Sequence, residues 1–186
     1  MMLELNEVLL EGEPQTLSLM AHEGELTCLT GGSSERLTRW LLAMLGFEHV
    51  KSGYISLDGE PLTPQSVAIF RSMMAYAPSQ LEPIGQVTCY TPPTAQDVFG
   101  LKANRNLPVS NSILDEEMRH ICPNHADNRV QLLAVASLLG RPILLVDNPL
   151  PQSIDYLHQQ AAQGRTVVLT SQEAMVTGAA NQIVEL

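Results

Sequence analysis

Residues 31–38 read GGSSERLT, and their types and spacing point to phosphate chemistry. In a phosphate-binding loop, glycines let backbone N–H groups approach phosphate oxygens. A lysine neutralises the outer phosphates, and a hydroxyl reaches Mg²⁺. The flanks are in the right order: the apolar run ELTCLT (25–30) precedes the small-residue turn, and an amphipathic helix follows it. Leu37, Trp40, Leu41, Met44 and Leu45 fall at i, i+3, i+4, i+7 and i+8, one apolar stripe. Arg36 and Arg39 lie off that stripe. Leu37 stands where the loop's lysine belongs, and because it begins the stripe, a core contact accounts for it. Glu35 brings a carboxylate into the first turn, where the helix dipole favours it by about 0.3–1 kcal/mol. There it would occupy or repel the space of a phosphate. Arg36 is a nearby cation that could swing in, but it sits one residue early and on another face.

The elements that must hold this run are legible as apolar patterns. LELNEVLL (3–10) and YISLD (54–58) interleave polar residues and read as antiparallel strands. ELTCLT, MAYAP (74–78), ILLV (143–146), TVVLT (166–170) and QIVEL (182–186) are short strands, and ILLV is unbroken, as in a sheet covered on both faces. Helical patterns between several of them suggest crossovers. Asn128–Leu139 is apolar nearly all round and should be a central helix, closed by Gly140 and Pro142. Residues 81–127 hold several prolines and one helical pattern near Ser112–Ile121, a small, loosely helical insert. No internal repeat or low-complexity tract interrupts the chain.

Composition excludes several classes. The 186 residues suit one domain, which buries about 70% of its unfolded surface. With 20 acidic and 10 basic residues the formal charge is −10, which repels nucleic acid and anionic membranes in the absence of a basic run. Cys28, Cys89 and Cys122 are far apart and lack C-x-x-C spacing, so they read as reduced thiols of a cytoplasmic protein rather than a disulfide or zinc framework. The N-terminus MMLELNEVLL has no signal-peptide pattern. No run reaches the roughly 18 apolar residues of a membrane span.

The order of the segments resembles the nucleotide-binding domain of ATP-binding cassette (ABC) proteins, from about Leu3 to Leu186. Gly24-Glu25 stands before the loop strand. SGYISLDGEPL (52–62) is similar to the family's hairpin. RSMMAYAPSQ (71–80) matches the strand ending at the Q-loop glutamine, Gln80. LLAVASLLGRPILLVDNP (132–149) matches the helix after the signature motif and the Walker B strand, ending at Asp147. GRTVVLTSQEA (164–174) matches the strand before the switch histidine. The resemblance implies an α/β, P-loop NTPase-like ABC fold in a single domain over 1–186. It implies a parallel-rich central sheet, an N-terminal antiparallel sheet, and a reduced helical subdomain over 81–130. Gly31, Gly32, Ser33, Ser34, Arg36 and Thr38 fall in the ATP-binding loop, and Thr38, Gln80 and Asp147 offer hard oxygens to Mg²⁺.

Several functional letters of the family are changed. Ser34 and Arg36 replace later loop glycines, and Leu37 replaces the lysine. Asn148 stands at the catalytic glutamate, and a neutral amide is a poor general base. Ser171 stands at the switch histidine, with Gln172 behind it. NHADN (124–128), with His125, falls where the glycine-rich signature should be. Asp155 of the D-loop lies one residue late, after the turn PLPQSID, and no aromatic near 10–15 is present to stack on adenine. The expected function is therefore that of a degenerate ABC-type ATP-binding protein, a pseudo-ATPase that binds or scaffolds within a transporter-like assembly. No catalytic residue is assigned, and ATP and Mg²⁺ binding is expected to be weak or absent. The alternative is an active ATPase subunit of an ABC transporter with divergent motifs, and an unrelated α/β domain is the third reading. Expected partners are a membrane permease, a second ABC-type subunit or a second copy, with no nucleic acid and no direct membrane insertion. The location would be cytoplasmic, peripheral at the inner membrane through a permease. A Glu35→Gly, Leu37→Lys variant is expected to gain affinity for Mg-ATP.

Overall fold

The computed structural model describes residues 1–80, 94–104, 107, 109–123 and 127–186. Residues 81–93 of the insert, Cys89, and residues 124–126 of NHADN, His125 among them, lie outside the described residues.

Strand β1 (Leu3–Leu10) pairs antiparallel with β2 (Leu17–Ala21) on one side and with β4 (Val50–Leu57) on the other. A short β5 (Glu60–Pro61) completes a four-stranded sheet in the order β2-β1-β4-β5. Along β1 the buried residues change parity, from Leu3 and Leu5 to Val8 and Leu10. The cause is an irregularity at Glu7, whose φ is +48°. An inserted residue lets the same face stay buried on both sides of it. Gly53 makes that bulge fit: a Cβ there would lie 2.3 Å from the Glu7 carbonyl oxygen.

The second sheet is parallel throughout, in the order β6-β7-β8-β3-β9. Its strands are β3 (Leu26–Thr30), β6 (Met74–Ala77), β7 (Ile143–Asp147), β8 (Thr166–Thr170) and β9 (Gln182–Glu185). Every residue of β7 and β8 is buried, which explains why ILLV carries no alternation.

Helix α1 (Ser34–Met44) covers one face of this sheet together with the antiparallel sheet. Leu37, Trp40, Leu41, Met44 and Leu45 all enter that core, each contributing about 1.5–3 kcal/mol by area. The loop between β5 and β6 holds α2 (Val67–Met73). Within the insert lie α3 (Ala95–Gly100) and α4 (Asn111–Ile121). The opposite face of the parallel sheet is covered by α5 (Asn128–Leu138) and α6 (Ile154–Ala162), with α4 joining the same core and α7 (Ala174–Thr177) before β9. Helix α5 is less enclosed than its all-round apolar sequence suggests. Val130, Leu133, Ala134, Ala136 and Ser137 are buried, while Leu132, Val135, Leu138 and Leu139 are half-buried. Among the described residues, no helix is long and apolar enough to cross a membrane.

Candidate functional site

Parallel sheets place ligand crevices outside the carboxyl ends of their strands. In this sheet that edge is built by Thr30 of β3, Asp147 of β7 and Thr170 of β8, with Ser79 and Gln80 just beyond β6. The turn from β3 into α1 crosses the same edge. Gly31 and Gly32 have φ of +85° and +73°, a conformation that favours glycine. A Cβ at Gly31 would crowd the Leu186 carbonyl oxygen at 3.1 Å.

The helix then starts early. Ser33 is the N-cap, in extended backbone, and its Oγ accepts from the Arg36 amide at 3.2 Å. The Leu37 amide donates to the Ser33 carbonyl at 3.0 Å. Ser34, Glu35 and Arg36, the three positions before the lysine position, are therefore helix rather than open loop. The amides of Arg36 and Leu37 are consumed by the chain itself. Leu37 is 2% exposed and is a core residue.

Arg36 is also engaged. Its Nε donates to Glu13 Oε2 at 2.6 Å, and the Glu13 side chain is only 3% exposed. Arg39 approaches the other oxygen of Glu13 at 3.5 Å. Arg39 is held in turn by Glu48 at 3.0 Å and by the Glu11 carbonyl at 2.8 Å. The Arg36 side chain lies across the turn, with its Nη1 3.1 Å from where a Gly32 Cβ would be. The loop between β1 and β2 thus supplies a carboxylate to the arginine.

Asp147 is 4% exposed. Its Oδ2 lies 2.8 Å from Thr38 Oγ1 and 3.0 Å from Ser79 Oγ, and its Oδ1 accepts from Thr170 Oγ1 at 2.7 Å. Thr38 Oγ1 also lies 3.0 Å from the Ser34 carbonyl, so its single proton serves one of the two acceptors. Three hydroxyls thus surround the carboxylate. Nearby Tyr76 has its phenol pushed well up, first by burial and then by the negative charge of Asp147. Asn148 is in left-handed backbone with φ +48°, which Asn tolerates. Its amide donates to Thr170 Oγ1 at 3.0 Å and its carbonyl accepts from Arg129 Nη1 at 3.3 Å.

Beyond β8, Ser171 is 1% exposed and its Oγ accepts from the Glu173 amide at 3.0 Å. Gln172 Nε2 donates to the Gly32 carbonyl at 2.6 Å, tying the segment after β8 to the turn. Among the residues read from sequence, the fold brings Thr38 and Asp147 together, and it sets Gly31, Gly32, Ser33, Ser34 and Arg36 at one turn. Gln80 is exposed beside Ser79. Among the described residues there is no cluster of three or more His, Cys, Asp or Glu side chains arranged to hold a metal.

Sequence reasoning missed Glu13, Ser79 and Thr170, and it named Gln172 only as the neighbour of Ser171. Thr170 carried a signal, since it is the polar end of an apolar strand. Glu13 carried none, because its partners are 23 and 26 residues away.

No family model matches this chain, and no curated protein sequence matches it. Solved structures do. An ATP-binding subunit of an ABC transporter superposes with a TM-score of 0.73 at 16% identity, over 100% of this chain and 86% of that one. An ABC-transporter-type ATP-binding protein from Pyrococcus furiosus gives 0.74 at 13% identity, over 100% and 98%. The cbiO1 protein of Clostridium perfringens, part of the ABC transporter complex cbiONQ, gives 0.66 at 14% identity, over 98% and 83%. The chain has the fold of ABC nucleotide-binding domains.

Proposed function

We propose that this chain is a non-hydrolysing ABC-type domain, a pseudo-ATPase that serves as a binding or scaffolding subunit of a transporter-like assembly. One observation carries the reading: α1 begins at Ser34, so the positions that should form an open phosphate cradle are helical, and their one cation is paired with buried Glu13. A phosphate that captured Arg36 would have to break that pair. The pair is part-buried and Glu13 would keep only Arg39 at 3.5 Å, so giving it up costs about 1–3 kcal/mol, or roughly one to two orders of magnitude in affinity. The turn and its arginine therefore do not fit a magnesium triphosphate. Asn148, held by its own backbone, offers no general base.

On this reading the chain is one ABC-type unit over 1–186 with a reduced helical insert over 81–130. It acts in the cytoplasm, reaching the inner membrane only through a permease, and pairs with that permease, a second ABC-type subunit or a second copy. A formal charge of −10 argues against nucleic acid as a partner.

Calorimetry with Mg-ATP tests the reading, together with steady-state phosphate release by the full chain. Binding no tighter than about 1 mM and no release are expected. A turnover near the lower end of ordinary enzymes, about 1 s⁻¹, that disappears in Asp147→Asn would overturn it. That outcome would support the second reading, a divergent active ATPase. The observation favouring this alternative is the oxygen cluster of Thr38, Ser79 and Asp147, which retains donors of the type Mg²⁺ accepts.

A further inference from the structure

The insert is thinly held. Helix α3 buries no residue, and α4 buries Leu114 and Ile121 in the core that it shares with α5 and α6. Segments with few buried apolar contacts open before the rest of a domain does. Polar ties then decide how firmly such a segment stays down. At the α3 end, buried Asn104 accepts through Oδ1 from Arg141 Nη2 at 3.0 Å. At the α4 end the tie is Tyr156 of α6, 2% exposed, whose hydroxyl donates to a Glu117 carboxylate oxygen. Burial pushes the phenol well up, and the bond to Glu117 pushes it further, so it remains a donor at neutral pH. One turn along α4 from Glu117, the His120 ring meets the Tyr156 ring edge-on, with 5.3 Å between centroids.

Groups that water would satisfy lie around this bond. Arg165 Nη2 donates to the Ser137 carbonyl at 3.0 Å, but Arg165 Nη1 and Ser137 Oγ are buried without a hydrogen-bond partner among the described residues. Burial lowers the Arg165 pKa, and the charges of Tyr156 and Glu117 oppose that, which puts the guanidinium near the pair. Unmet buried polar groups cost free energy that hydration restores, so they favour opening. We propose that Tyr156 is a latch for the insert: its bond to Glu117 holds α4 against α5 and α6, and its release lets α4 lift away while the parallel sheet stays folded. The latch uses none of the residues at the turn before α1 or around Asp147. It therefore goes beyond the reading of the chain as a non-hydrolysing domain and does not rest on it.

Native-state hydrogen exchange on the full chain, in urea below the unfolding transition, tests the latch. Opening of α4 alone exposes little surface, so its exchange should depend weakly on urea. Strands β7 and β8 should exchange with the steep dependence of whole-chain unfolding. Removing a hydrogen bond to a charged group should speed α4 exchange about 10- to 100-fold in Tyr156→Phe and in Glu117→Ala, still with weak urea dependence. The double variant should go no further than the faster single. Glu117→Gln, which keeps an acceptor, should fall between Glu117→Ala and the natural chain. Exchange of α4 at the natural rate in Tyr156→Phe or Glu117→Ala overturns the proposal. So does α4 exchange as steep in urea as that of β7 and β8, because Tyr156 would then support the whole fold and not the insert. A variant that fails to fold overturns it as well, since the sheet is expected to stand without the latch.

Discussion

Replacing Leu37 with lysine restores the letter that the phosphate-binding loop lacks, yet we expect it to damage the protein. Leu37 is 2% exposed and packs in the core that includes Trp40 and Leu41. Removing its burial forfeits about 2 kcal/mol. An ammonium in that place is desolvated, and a lowering of its pKa by roughly two to three units adds about 3–4 kcal/mol at neutral pH. The sum, about 5 kcal/mol, is a large part of a typical domain's stability and corresponds to roughly 10–20 °C in Tm. The pH dependence identifies the cause. A lysine whose folded pKa lies below its unfolded value binds fewer protons in the native state. Its penalty is therefore full below the folded pKa and shrinks as pH rises towards about 10.4, by about 1.4 kcal/mol per pH unit. Urea unfolding followed by the fluorescence of Trp40, the chain's one tryptophan and 1% exposed, measures the difference from the natural protein. A Leu37→Lys protein as stable as the natural one, with micromolar affinity for Mg-ATP, would refute the argument by placing that side chain in the turn. Given the same burial, we expect no gain in Mg-ATP affinity from Glu35→Gly with Leu37→Lys, and calorimetry on that variant checks it.

Asp147→Ala leaves the hydroxyls of Thr38, Ser79 and Thr170 without their shared acceptor. A loss of about 3 kcal/mol in urea unfolding is expected, and unchanged stability would show that Asp147 is not structural. Burial pushes the Cys28 thiol up to about 11 despite the opposing hydrogen bond from Ser171. The native state therefore keeps a proton that the unfolded chain has lost, so stability should fall as pH rises from about 9 to 11. Cys28→Ala should flatten that part of the Tm–pH curve, and an unchanged slope would exclude Cys28 as its source. Gly53→Ala places a Cβ 2.3 Å from the Glu7 carbonyl oxygen and 2.4 Å from that of Asn6, at a φ of +76°. It should cost more than about 3 kcal/mol, and a natural Tm would mean that the β1 bulge relaxes freely.

Much of the scaffold was legible because apolar period and burial coincide. The bounds expected for β1 and β8 are the observed ones, and the stripe from Leu37 to Leu45 is wholly buried. Where polar residues lie inside an element, the reading fell short. Strand β4 begins at Val50 rather than Tyr54 because Ser52 and Val50 pair with Leu9 and Leu10, past the bulge of β1. The central helix over 128–139 is half-open on its outer face. At the site, the positions of Thr38 and Asp147 followed from local pattern. The Glu13–Arg36 pair and the Gln172–Gly32 bond did not, because they join distant segments and have no periodic signature.

The separate departures at the turn follow largely from one backbone choice, the start of α1 at Ser34. With 3.6 residues per turn, successive side chains are rotated by about 100°. Once Leu37 shares a stripe with Trp40 and Leu41, its direction is the core. Arg36 then points about 100° to one side, where Glu13 meets it, and Thr38 about 100° to the other, where Asp147 meets it. Glu35 is left on the outer face, and it is exposed. The Ser33 cap and the Gln172 bond to Gly32 hold the turn that sets this register. A lysine introduced at position 37 inherits the direction of Leu37, and so does any other residue placed there. Reopening a phosphate cradle would require unwinding the first turn of α1, releasing the Ser33 cap and the Arg36–Glu13 pair together. Restoring single letters of the loop leaves all of those interactions in place.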